Sequence, residues 1–125
     1  MQIERRDGRL VLAHGPWMRA LLEDVLDRKL PVAQISRRFH TSVVAAITEL
    51  CVELRRQTGI ADVVLSGGVF LNQFLLVRAE RELTSAGLRV FTHSRVPTND
   101  AGISVGQAMI AAALDRARAA GPAAD

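Results

Sequence analysis

Apolar positions recur along this chain at helical spacing in some stretches and as short β-branched runs in others, and the changes between the two divide it into elements. After Pro16, the residues Met18, Leu21, Leu22, Val25 and Leu26 return every three or four positions with Arg19, Glu23, Asp24 and Asp27 between them, which predicts a helix of about three turns. Pro31 restarts the pattern. Val43, Val44, Ile47, Leu50, Cys51 and Leu54 then share one face and Thr48, Glu49, Glu53, Arg55 and Arg56 the other, predicting a second, longer helix over 31–57, broken near His40-Thr41-Ser42 and stopped at Gly59. The run Val63-Val64-Leu65 ends on Gly67-Gly68, so a buried strand delivers the backbone to a tight turn at the start of a third helix. That helix turns Leu71, Leu75, Leu76, Ala79 and Leu83 inward and ends at Ala86-Gly87. Residues 88–93 form a second strand, and strand-helix-strand at this spacing requires a right-handed parallel crossover. A fourth helix covers 101–118. Its Gly102 and Gly106 lie on one face and permit close approach of a neighbour, while Ile103, Met109, Ile110 and Leu114 pack and residues 119–125 fray. The first fifteen residues read as a turn and a short strand over 9–12.

The sum is a single α/β domain over 1–125, helices followed by β-α-β-α, and it is short of a sheet. Two parallel strands are a poor unit, since parallel pairs are normally buried on both faces and flanked by further strands. Either the 9–12 segment adds a strand, or a second subunit or the remainder of a longer protein supplies the missing edges.

Composition narrows the partners. The 125 residues are 49% hydrophobic and 23% charged, enough apolar material for a core. The formal charge is only +3, although the isoelectric point reaches 10.4, and the arginines are scattered among helix carboxylates. With four phenylalanines and one tryptophan, base-stacking platforms are scarce, so no nucleic-acid partner is expected. No apolar stretch is long enough to span a bilayer, and the charged first residues do not make a signal peptide. The single Cys51 forms no disulfide framework and falls on the apolar stripe as an inert thiol, which fits a cytoplasmic location.

The candidate chemistry sits at the two strand-to-helix junctions, because parallel strands put their C-terminal ends on one edge of the sheet. Gly67-Gly68 would let the main chain approach a phosphate, and Asp100, in Pro97-Thr98-Asn99-Asp100-Ala101-Gly102, would hold its cation. Asn72 either caps the third helix or turns its amide to the ligand. The plain alternative is that the glycines make a structural turn and that Asp100 caps its own helix. His14, His40 and His93 are too scattered for a local metal motif and read as structural, with His40 set at the expected helix break. Ser66 lies in Leu-Ser-Gly-Gly, which is not a hydrolase elbow.

Three blocks in register, residues 35–40, 64–72 and 96–108, closely resemble the C-terminal end of the HypF-type hydrogenase-maturation carbamoyltransferases. The resemblance implies the second lobe of an actin-like ATPase fold. It also implies ATP or carbamoyl-adenylate as ligand, a divalent metal (zinc, iron or magnesium), and a HypE-like acceptor whose C-terminal cysteine receives the carbamoyl group. On the same ground Gly67, Gly68, Val69 and Asn72 would lie against nucleotide, and Asp100 would be a metal ligand. The family's upstream modules and the first lobe of the cleft have no counterpart in these residues, so the resemblance also implies a missing N-terminal partner and little turnover by this chain alone. A non-enzymatic alternative is a remnant lobe that binds a protein partner or its own copy.

Overall fold

A computed structural model describes residues 2–119. The chain opens with strand β1 (Gln2–Arg6), which periodicity missed, and β2 (Arg9–Ala13), which it expected; the two form an antiparallel hairpin. Asp7 and Gly8 turn it, both with positive φ (50° and 76°), the geometry a two-residue hairpin loop demands. The 9–12 segment is therefore a strand, but its partner is β1. The hairpin and the parallel pair are separate two-stranded sheets, so it does not complete the parallel one. The order is β-hairpin, two helices, then β-α-β-α. Arg5 docks the hairpin on the second helix through Glu53, 2.8 Å away. Arg56, Gln57 and Arg5 all donate to Glu53 and hold its carboxyl well below the usual carboxylate range.

Helix α1 (Gly15–Asp27) carries Pro16 in its first turn, and α2 (Val32–Thr58) follows Pro31. Unlike the expectation, α2 runs unbroken through His40-Thr41-Ser42. Ser42 Oγ donates to the Arg38 carbonyl (2.9 Å) and His40 Nδ1 meets the Ser36 carbonyl (2.7 Å), so both side chains bond back along the helix instead of diverting its backbone. Gly59, at φ 75°, ends it and donates to the Arg55 carbonyl, as expected.

Strands β3 (Asp62–Leu65) and β4 (Arg89–Thr92) pair in parallel, with Asp62 opposite Arg89 and Leu65 opposite Thr92. An Asp62–Arg89 ion pair clamps the first rung. Between the strands lie a 3-10 turn (Gly68–Leu71) and α3 (Gln73–Ser85); Leu71, expected inside the third helix, belongs to the turn and is exposed. The core joins Val44 of α2, Leu65 and Phe70, Leu75, Ala79 and Leu83 of α3, and Leu88. Cys51 packs half-buried at its margin, and burial pushes its thiol up. Alkylation by iodoacetamide should accordingly run several-fold slower than for free cysteine near neutral pH and catch up only in alkali, because the thiolate is the reacting species. A rate equal to that of free cysteine would contradict the packing.

The expected sheet deficit is present. Leu65, Val63 and Val90 face the helices, whereas Val64 and Phe91, opposite one another in register, are 67% and 51% exposed on the other face. Helix α4 (Ile103–Ala119) lies equally bare. Ile103, Met109, Ile110 and Leu114, expected to pack, are all more than half exposed, because no described element covers them. The expected frayed tail at 119–125 falls, beyond Ala119, outside the described residues. Among the described residues no helix is long and apolar enough to cross a membrane.

Candidate functional site

The parallel register that sets Leu65 beside Thr92 also sets the next residues, Ser66 and His93, side by side at the C-terminal ends of the strands. Their side chains meet, His93 Nε2 to Ser66 Oγ at 2.9 Å. Sequence reasoning passed over this pair, and the signal that would have found it was the strand register. One residue further on, the two junctions are tied together. Gly67 N–H donates to the Thr98 carbonyl (2.9 Å), and Thr98 Oγ1 donates back to the Gly67 carbonyl (3.2 Å). A methyl group placed on Gly68 would lie 3.8 Å from Asn99 Cβ. The diglycine turn and the Asn99-Asp100 turn thus share one rim.

The diglycine differs from expectation in its local geometry. It opens the 3-10 turn Gly68–Leu71 instead of α3 itself, with Gly67 at φ 101°, ψ 160°, a region essentially reserved for glycine. Val69 is exposed on this turn. Asn72 closes the turn and caps α3: its Oδ1 accepts from the N–H groups of Phe74 (3.1 Å) and Leu75 (3.4 Å). Its Nδ2 meets His40 Nε2 at 3.0 Å.

At the second junction, capping falls to Asn99, whose Oδ1 accepts from Ala101 N–H (3.3 Å). That leaves the exposed Asp100 carboxylate without a hydrogen-bond or ion-pair partner among the described residues. A 3-10 turn, Asp100–Gly102, precedes α4, so the helix starts later than the pattern suggested. Gly102 permits a close approach, but by its own loop: a Cβ there would sit 2.6 Å from the Pro97 carbonyl oxygen, while a Cβ on Gly106 would meet nothing within 4 Å among the described residues. The turn carrying Asp100 is closed by Gly102 N–H donating to the Asn99 carbonyl at 2.9 Å.

A cavity of about 380 Å³ adjoins this rim, with Leu65 and Phe70 among its apolar lining and His93, Arg95, Gln73 and Thr98 among its polar lining. Among the described residues, no three histidine, cysteine, aspartate or glutamate side chains converge as a metal site. Asp100 alone does not hold a divalent cation, which needs several converging ligands.

Comparison with known proteins adds a lineage. Residues 1–107 match the family model for the carbamoyltransferase Kae1-like domain, second subdomain. The chain is 37% identical over 90 residues to Carbamoyltransferase HypF2 of Cupriavidus necator, covering 72% of this chain and 11% of that protein. It is 29% identical over 107 residues to Carbamoyltransferase HypF of Synechocystis sp., covering 86% of this chain and 13% of that one. Among solved structures, full-length HypF in the phosphate- and nucleotide-bound form matches with a TM-score of 0.79 and 41% identity, over 88% of this chain and 14% of HypF. The chain therefore spans a small part, 11% to 19%, of the curated relatives' length.

Proposed function

The chain belongs to the HypF carbamoyltransferase family, and on that premise we propose that it supplies one wall of the nucleotide crevice of a cytoplasmic carbamoyltransferase, folded as the second lobe of an actin-like ATPase. The observation that carries the reading is the reciprocal Gly67–Thr98 hydrogen bonding, which holds a glycine turn and a free carboxylate on one rim. In this reading the backbone at Gly67, Gly68 and Val69, with Asn72, lies against ATP or a carbamoyl-adenylate. Asp100 contributes a single ligand to a zinc, iron or magnesium ion whose remaining ligands belong to the missing N-terminal lobe. The reaction served is transfer of a carbamoyl group to the C-terminal cysteine thiolate of a HypE-like acceptor: a C–S bond forms, the bond from the carbamoyl carbon to the adenylate oxygen breaks, and AMP leaves.

Titrating ATP with Mg²⁺, Zn²⁺ or Fe²⁺ into the chain, into the rest of a HypF carbamoyltransferase, and into their mixture tests this. Tight binding is expected in the mixture alone, weakened about tenfold by Asp100→Ala, the scale of one lost charge-assisted contact. Equal affinity for parent and variant would overturn the assignment of Asp100. The bare faces at Val64-Phe91 and along α4 favour a second reading, a remnant module that associates with a protein partner or its own copy. Under that reading light scattering shows concentration-dependent dimers that addition of the remainder does not dissolve.

A further inference from the structure

His40 makes three polar contacts; Ser36 Oγ lies 3.4 Å from Nδ1 and fits either direction, but the directions of the other two can be derived without seeing a hydrogen. Its Nδ1 lies 2.7 Å from the Ser36 carbonyl oxygen, an atom that can only accept, so Nδ1 carries the proton. In the neutral ring Nε2 then offers a lone pair, and the group 3.0 Å away must be a donor. Asn72 meets that requirement in one orientation only. Its other amide atom faces the N–H groups of Phe74 and Leu75 and must be the oxygen, which leaves Nδ2 toward His40. Proton positions are thus settled from the α2 carbonyl to the start of α3.

The ring is also fixed in place. Phe39 and Phe74 meet it nearly edge-on, with centroids 5.3 and 5.7 Å away and planes at 82° and 79°, and Trp17 of α1 packs on Phe39 at 4.8 Å. We infer that His40 is a positioning residue for Asn72: as the Nδ1–H tautomer it locks the carboxamide so that Oδ1 caps α3 and the second Nδ2 hydrogen stays free for a ligand at the end of the diglycine turn. That second hydrogen meets no acceptor among the described residues. Protonation of Nε2 reverses the arrangement by setting donor against donor, and Asn72 must then give up either the cap or the contact. Of the charged groups on the elements packed around the ring, Arg37 of α2 lines the same recess and Arg78 of α3 holds its guanidinium 5.4 Å over Phe74. On the α1 side Asp24 is engaged with Arg38. The consequence for binding rests on the nucleotide reading above, but the tautomer does not.

The two are tested separately. Long-range nitrogen-15 spectra of the full chain should show His40 as the Nδ1–H tautomer, with the Asn72 carboxamide signals moving as His40 protonates. An Nε2–H tautomer overturns the inference. In the mixture with the remainder of the enzyme, His40→Phe keeps the aromatic packing and should weaken ATP binding about tenfold, the scale of one lost hydrogen bond in a confined site. His40→Gln, which restores an acceptor, should recover most of it and remove the loss of affinity at low pH. Binding by His40→Phe equal to the parent overturns the positioning role. Asn72→Asp keeps the cap and removes both donors; if it binds ATP normally, the nucleotide role of Asn72 falls while the tautomer stands or falls by the spectra.

Discussion

Leu83→Ala is expected to remove about 2–5 kcal/mol of folding stability, the range for emptying a leucine site in a core that cannot collapse around it. Leu83 is fully buried in the third turn of α3, packed with Ala79 and Leu75 in the same cluster as Val44 of α2 and Leu88 before β4. Its carbonyl accepts from Leu88 N–H at 3.1 Å, so the residue that fills the core also anchors the chain's exit into β4. A small domain has only about 5–15 kcal/mol in hand, and this one covers a single face of its parallel sheet. Urea unfolding should show a lower midpoint with an unchanged slope. Leu114→Ala, on the bare α4, should stay within about 0.5 kcal/mol of the parent. A Leu83→Ala midpoint equal to the parent's would mean that α2, α3 and the strands do not share a core.

The elements that pack on one another were legible because packing imposes a period. Leu75, Ala79 and Leu83 recur at helical spacing, and all three are buried. Where the chain packs on nothing, the same pattern misled: Ile103, Met109, Ile110 and Leu114 carry an apolar rhythm, yet no described element packs on them. The first strand was missed because Glu4, Arg5 and Arg6 mask its alternation, although Asp7-Gly8 announced a hairpin turn. The expected break at His40 failed because a sequence shows a polar side chain but not whether it bonds back to its own helix. At the rim, the two junctions could be placed on one edge from topology alone. The atoms joining them could not: Thr98 had no separate role in the pattern, and the Ser66–His93 contact required the register.

Alanine at Gly67 and valine at Gly68 should fail in different ways, and the difference decides what the diglycine is for. At φ 101°, ψ 160°, Gly67 occupies backbone space where a Cβ costs about 1–3 kcal/mol. Leaving that region would also break its N–H contact to Thr98 and the return contact from Thr98 Oγ1, separating the two junctions. Gly67→Ala should therefore lose stability and, on the proposed reading, nucleotide affinity in the mixture with the remainder of a HypF carbamoyltransferase as well. Gly68 is not among the glycines with positive φ, and an added Cβ would meet Asn99 Cβ at 3.8 Å, an ordinary contact. Among the described residues nothing crowds a Cβ there, so the open surface at Gly68 matters only if something else must approach it. Gly68→Val should keep the parent's folding stability within about 0.5 kcal/mol and, on the proposed reading, still bind ATP about tenfold more weakly. If Gly68→Val binds as the parent does while Gly67→Ala weakens, the turn serves to hold Asn99-Asp100 in place and the nucleotide lies elsewhere on the rim. If both bind normally, the shared rim is a feature of packing and the proposed nucleotide crevice is overturned.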